Sequence, residues 1–185
     1  MASELYVETL KGLTSGANAN KVIIPSGQTL DASAGGFTTP AGHVLQVVQT
    51  EWSGSTLTST NGTPFDIGNS ISITPSSTDN KILVIAEAGL YFNNGNSTAF
   101  PGLEFLILRG ATVLKQRGGY YHDSRGGGTQ YGQSLTRASM NYLDSPNTTS
   151  SVTYKVQLEG FDVSGGPSNK GNEQGGSITL MEIAG

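Results

Sequence analysis

The residues able to do chemistry in this 185-residue chain are few, and they are scattered. There are two histidines, His43 and His122. A histidine beside a carboxylate can be held in one tautomer and used as a general base. His122 has such a neighbour in Tyr120-Tyr121-His122-Asp123, with Arg125 close behind. It lacks a nucleophile. No Gly-x-Ser-x-Gly elbow occurs, and Gly132-Gln133-Ser134-Leu135-Thr136 misses the second glycine. His43 stands just before a predicted strand and reads as structural. No histidine pair has metal-ligand spacing, and no Asp-x-Asp-x-Asp loop is present. Asp144, Asp162 and Glu173 read as isolated turn residues, with Asx-turn bonding sufficient for the aspartates. The run Gly126-Gly127-Gly128 has neither the strand–turn–helix setting nor the Lys-Ser/Thr ending of a phosphate loop. Sequons at Asn61, Asn96 and Asn147 fit chance in a chain rich in Asn and Thr. These observations imply a protein without catalysis, cofactor or metal.

The segment Gly118 to Gly132 reads as a long loop with binding potential. It holds Tyr120, Tyr121, His122, Arg125, Gln130 and Tyr131 among glycines. Tyr and Arg dominate binding hot spots, and aromatic rings flanked by hydrogen-bonding groups stack on sugars. Tyr120, Tyr121, His122, Arg125 and Tyr131 are therefore the candidate ligand-contacting residues. The competing role for the tyrosines is packing between subunits or closing one end of a barrel.

The elements that must position these residues are strands. Period-two alternation recurs, as in Val152-Thr153-Tyr154-Lys155-Val156-Gln157-Leu158-Glu159, so one face meets a core and the other water. Further strands are predicted at Val44–Trp52, Ser55–Thr60, Ser70–Thr74, Lys81–Tyr91, Leu103–Arg109, Thr112–Leu114, Gln133–Leu143 and Ser177–Ile183. Turns separate them at Asn61-Gly62-Thr63-Pro64, Pro75-Ser76-Ser77, Asn93-Asn94-Gly95, Gly110-Ala111, Asp144-Ser145-Pro146-Asn147 and Gly165-Gly166-Pro167. A second long loop is expected at about Phe161 to Gly176. Many short strands with such breaks predict an all-β antiparallel sandwich or jelly roll. The strands at Lys81 and Leu103 are apolar on both parities. They are expected to be covered on both faces, the second by a neighbouring subunit, with Ile82, Val84, Leu106 and Leu108 at a trimer interface.

Composition narrows the partners. The net charge is −4 and charged residues are 13% of the chain, against about 25% in ordinary soluble domains. An acidic chain of this kind is not expected to bind nucleic acid, where affinity comes from neutralising phosphate. Cysteine is absent, so disulfides and thiolate metal sites are excluded. Ser, Thr, Asn and Gln fill the polar positions and cost less to desolvate than charges, which suits broad packing against other subunits. Met1 to Lys11 lacks the basic start and apolar run of a secretory signal. The longest apolar run, Ile82 to Ala86, is far below the ~20 residues of a membrane span. The expectation is synthesis in a cytoplasm without membrane insertion. Residues 1–41 are small and polar around a short apolar stretch, Val22-Ile23-Ile24. Alone they bury too little apolar surface to offset their ordering entropy. They read as a stem or docking arm with Leu5, Val7, Leu10, Val22 and Ile24 as its apolar contacts, and residues 42–185 as the head.

Several stretches in order carry a family resemblance. Pro40-Ala41-Gly42 precedes His43-Val44-Leu45-Gln46-Val47-Val48-Gln49, and Ser72-Ile73-Thr74-Pro75 precedes Asn80-Lys81-Ile82-Leu83-Val84. Then come Leu108-Arg109-Gly110-Ala111-Thr112, Leu143-Asp144-Ser145-Pro146, Ser151-Val152-Thr153-Tyr154 and Ser177-Ile178-Thr179-Leu180-Met181-Glu182-Ile183. From about Gly42 to the C-terminus the chain resembles the C-terminal head domains of tail-fibre and related structural proteins of marine and cyanobacterial phages. The stretch Ile24-Pro25-Ser26-Gly27-Gln28-Thr29-Leu30 is similar to what precedes such heads. The resemblance implies a jelly roll of the C1q and tumour-necrosis-factor type, a homotrimer, and a non-enzymatic role on the virion surface. It implies attachment to other virion proteins, in tail or capsid, through the N-terminal arm. Host receptor or glycan recognition and capsid decoration, as cement or as a head fibre, are the two rival roles. A polysaccharide depolymerase with a site between subunits is the remaining enzymatic alternative.

Overall fold

A computed structural model describes residues 14–17, 19, 21–29, 39–54, 57–58, 62–68, 70–93, 102–121, 133–161 and 170–185, with backbone alone at 57–58, 92–93, 117–121, 133–134, 161 and 170–174. The chain divides into two units, Met1–Thr38 and Thr39–Gly185. In the first, a turn closes with Ala19 N–H on the Gly16 carbonyl at 3.0 Å, and another with Gln28 N–H on Pro25 at 3.1 Å. Gly27 takes a φ of 82° in that second turn. Val22, Ile23 and Ile24 are exposed and in no strand.

The second unit is all-β among its described residues. Its strands are β1 (Val44–Trp52), β2 (Leu57–Thr58), β3 (Pro64–Asp66), β4 (Ile71–Ile73), β5 (Lys81–Asn93), β6 (Gly102–Arg109), β7 (Thr112–Tyr121), β8 (Gln133–Asp144), β9 (Val152–Phe161) and β10 (Lys170–Ile183). One sheet runs β1-β10-β5-β8, with β2 on β10. The other runs β3-β9-β6-β7, with β4 also on β9. All pairings are antiparallel. The chain passes from sheet to sheet between β2 and β3, β4 and β5, β5 and β6, β7 and β8, β8 and β9, and β9 and β10. This is a jelly roll, the architecture expected from the sequence.

Alternation decides which residues form the core. Ile82, Val84, Ala86, Ala88 and Leu90 of β5 are buried, and so are Ile178 and Leu180 of β10. They meet Leu103, Phe105 and Ile107 of β6 and Tyr154, Val156 and Leu158 of β9 in one cluster. The alanines Ala86, Ala88 and Ala138 leave room between the sheets for larger neighbours such as Phe105. The β6–β7 hairpin turns through Gly110-Ala111 as predicted. Gly110 has a φ of 57°, the requirement at the first central position of a type II′ turn.

Three stretches read as turn or loop are strands instead. Pro64 opens β3 rather than ending a turn. It has no N–H to pair, and it is tolerated as the first residue of a short strand lying at the edge of the sheet. The predicted loop from Gly118 is strand as far as Tyr121, paired with Gly102. The predicted loop ending at Gly176 contains the start of β10, whose Lys170 and Gly171 pair with Tyr91 and Leu90. Glycine-rich sequence hides the alternation in both, yet ladder bonds are made by main chain alone.

Candidate functional site

The buried polar groups come first, because each requires a partner. Glu182 shares its face of β10 with Ile178 and Leu180, and it is 1% exposed. One carboxylate oxygen accepts from Ser76 N–H at 2.6 Å, Ser76 Oγ at 2.8 Å and Asn80 Nδ2 at 2.6 Å. The other accepts from Gln46 Nε2 at 2.6 Å. Burial on its own would raise the carboxyl's pKa. The hydrogen bonds from Gln46, Asn80 and Ser76 outweigh it and hold the group below the ordinary glutamate range. Asn80 Oδ1 also accepts from Gly185 N–H at 3.1 Å. Glu182 thereby ties β1, the segment 76–80 and the C-terminus together.

A second buried group joins the two sheets. Asp144 ends β8, and its Oδ2 accepts from Tyr154 Oη of β9 at 2.7 Å and Arg109 Nη1 of β6 at 2.8 Å. Burial pushes the Tyr154 phenol well above its usual range, and the Asp144 carboxylate pushes it further. Asp144 is therefore not the isolated turn residue that the sequence suggested. The sequence held two signals for these groups. Tyr154 and Glu182 both occupy core-facing parities, where a hydroxyl and a carboxylate must find partners.

On the outer face of the second sheet, Lys155 Nζ lies 2.9 Å from an Asp66 oxygen, and Gln157 Nε2 donates to Asp66 at 2.9 Å. Partial burial works to raise the Asp66 carboxyl, but the bonds from Lys155 and Gln157 hold it below its ordinary value. With Gly68, Ser70, Gly110 and Thr153 these residues line an open cleft of about 370 Å³. A smaller cleft of about 260 Å³ lies by Trp52, Glu51, Glu87 and Arg137. Among the described residues no three of His, Cys, Asp and Glu come together as a metal site. Among the described residues no helix is long and apolar enough to cross a membrane.

The structure describes some of the candidate residues. His43 is exposed, with Nδ1 3.0 Å from the Pro40 carbonyl, a turn contact. Tyr120 and Tyr121 end β7 opposite Leu103 and Gly102. His122, Arg125 and Tyr131 lie outside the described residues, as do Leu5, Val7 and Leu10. Val22 and Ile24 are 52% and 43% exposed. Ile82 and Val84 are 0% exposed inside the intersheet core. Leu106 and Leu108 are also buried, on the opposite parity of β6 from the core residues Phe105 and Ile107.

No family model matches the chain, and no curated protein matches it. Solved structures from infectious bursal disease virus align with this chain, each at a TM-score below 0.5. The VP2 subviral particle gives a TM-score of 0.44 at 13% identity, covering 88% of this chain and 37% of that one. The Gx strain gives 0.44 at 12%, covering 88% and 38%. The T13 particle gives 0.41 at 15%, covering 88% and 36%. This chain thus spans under two-fifths of those proteins. No family membership follows at this degree of likeness.

Proposed function

We propose that this chain is a non-enzymatic structural protein of a bacteriophage particle. Its head is displayed at the virion surface as a homotrimer, and its N-terminal arm, residues 1–41, docks on other virion proteins. The observation that carries this reading is the strand order, β1-β10-β5-β8 facing β3-β9-β6-β7. It agrees with the jelly roll implied by the resemblance to phage head domains and supports the C1q-like subtype. The commitment of Asp144 and Glu182 to holding strands together fits a scaffold. Exposed Val22 and Ile24 suit an arm that gains its apolar cover from a partner. Leu5, Val7 and Leu10 belong to the same docking segment. Ile82 and Val84 are covered within the chain, so trimer contacts run on other residues of β5.

The same reading makes Tyr120, Tyr121, His122, Arg125 and Tyr131 a surface for a host glycan or protein. Virions carrying Tyr120→Ala with Tyr121→Ala are expected to adsorb to cells several-fold less while the head keeps its oligomeric mass. Unchanged adsorption assigns the head to capsid decoration, and particles lacking the chain then lose heat or osmotic resistance. Gold-labelled antibody against the head places it on tail or capsid. Absence of label from purified particles overturns the virion reading.

A further inference from the structure

The second sheet has a break along one side of β9. β3 pairs with β9 at residues 157–159, and β4 pairs with it at 152–154. Ile67, Gly68 and Ser70 lie between these pairings and belong to neither strand. The break opens the cleft of about 370 Å³ lined by Asp66, Gly68, Ser70, Gly110, Thr153 and Lys155. Small-molecule sites occupy about 300–1,000 Å³, so the cleft is large enough for one small ligand. It lies on the outer face of this sheet, across the sandwich from the outward residues of β5. Trimer contacts on β5 therefore do not draw on it.

The lining selects the ligand. Asp66 and Lys155 cancel in formal charge, so an ion of either sign meets a like charge beside the opposite one. None of the six lining residues is apolar apart from glycine, and an apolar ligand would leave polar groups without partners. A neutral ligand rich in hydroxyls satisfies all of them, because each hydroxyl both donates and accepts. The Asp66 side chain is 57% exposed and keeps lone pairs for a donor. Lys155 carries three N–H groups, and the hydroxyls of Ser70 and Thr153 act in both senses.

The site is formed without a ligand. Lys155 Nζ lies 2.9 Å from Asp66, and Gln157 Nε2 donates to the same carboxylate at 2.9 Å. Thr153 Oγ1 and Ser72 Oγ share a hydrogen bond of 2.7 Å. Gly110 N–H donates to the Thr153 carbonyl at 2.8 Å. Gly68 lies so close to the Trp52 ring that a Cβ there would collide with it. At Gly110 a Cβ would meet nothing, so bare main chain forms that wall and a ring can approach it closely. Groups already held in place lose little freedom when a ligand binds.

We infer that this cleft binds one neutral sugar ring, whose hydroxyls donate to Asp66 and accept from Lys155, with Ser70 and Thr153 satisfying the rest. The site is separate from the tyrosine-bearing segment proposed above and stands without it. No aromatic ring lines the cleft, so a single sugar binds weakly, in the millimolar range. Copies held together on a particle raise the effective affinity for a chain of such sugars.

Amide chemical shifts of the full isotope-labelled chain test the inference, with methyl glycosides of glucose, galactose, mannose and N-acetylglucosamine as probes. The amides of Gly68, Gly110, Thr153 and Lys155 are expected to move saturably, and further with one glycoside than with the others. Asp66→Asn is expected to weaken that binding about tenfold and Thr153→Val about threefold, read from the initial slopes. Both positions are exposed, and unmoved core amides show that each variant is folded. No movement of the cleft amides with any glycoside overturns the inference, and so do slopes unchanged in both variants. Glycine or inorganic phosphate moving these amides where the glycosides do not overturns it too, since the site then takes charged ligands. Movement at Tyr120 and Tyr121 in place of the cleft overturns the cleft alone and leaves the host-glycan surface standing.

Discussion

Glu182 is the residue whose chemistry matters most to stability. A buried carboxylate with four donors is stable only while ionised, because protonation turns one acceptor into a donor facing donors. Its folded pKa lies below the ordinary 4.5. The sign follows: its contribution is complete above the ordinary value and is lost as pH falls through the folded one. Urea midpoints of the wild type are expected to drop in acid below about pH 4.5. Glu182→Gln is expected to lose roughly 2–4 kcal/mol at neutral pH and to show a shallower acid dependence. Tyr154→Phe leaves Asp144 its Arg109 partner, so about 1–2 kcal/mol is expected. Equal stability of Tyr154→Phe and wild type in denaturant titration would remove the sheet-to-sheet latch from the account. Both groups could be suspected from parity in the sequence. Their partners could not be named, because Ser76 and Glu182, or Arg109 and Asp144, come together only by folding.

At the scale of elements, β10 shows where side-chain pattern and backbone pairing part. Its Gly176 pairs with both Trp52 of β1 and Ala88 of β5. A Cβ there would lie 2.2 Å from the Glu87 carbonyl oxygen and 2.5 Å from the Trp52 ring. Gly176→Ala is therefore expected to force β10 away from β5, at a cost of roughly 2–4 kcal/mol. At Gly68 a Cβ would meet the Trp52 ring at 2.4 Å, and a side chain can shift more readily than a ladder. Gly68→Ala should lower the thermal midpoint less than Gly176→Ala, and the opposite order would put the tight point at the tryptophan. The strands with clear alternation, such as β9, were legible in advance. β3 and the glycine-rich ends of β7 and β10 were not, because their pairing is decided by the strands beside them.

For the whole molecule the testable quantity is mass. The homotrimer predicts a particle about three times the 19.2 kDa chain in light scattering. A one-chain mass under these conditions excludes it. Buried Ile82 and Val84 are expected to act on folding and not on assembly. Val84→Ala should lower stability by about 1–3 kcal/mol without changing the mass of the folded species. A change in mass at full stability would return β5's even-numbered residues to the subunit contact.

The sequence alone determined that the head is all-β, that β1, β5, β6 and β9 exist close to where they are found, and that Gly110-Ala111 is a hairpin turn. Those are local matters: period-two patterning and turn chemistry act over a few residues. It also limited the chemistry, since two histidines and no cysteine leave little to build a site from. Only the tertiary structure decided which apolar parity of β5 is core and which is surface. Ile82 and Val84 went inward because Phe105 and Leu158 sit opposite. Leu83 and Ile85 were left on the other face, where register sets Leu83 beside Met181 and Leu143, and Ile85 beside Thr179 and Asn141. A run apolar on both parities holds no local information on that choice. Cross-strand register, made of contacts far apart in the chain, supplies it.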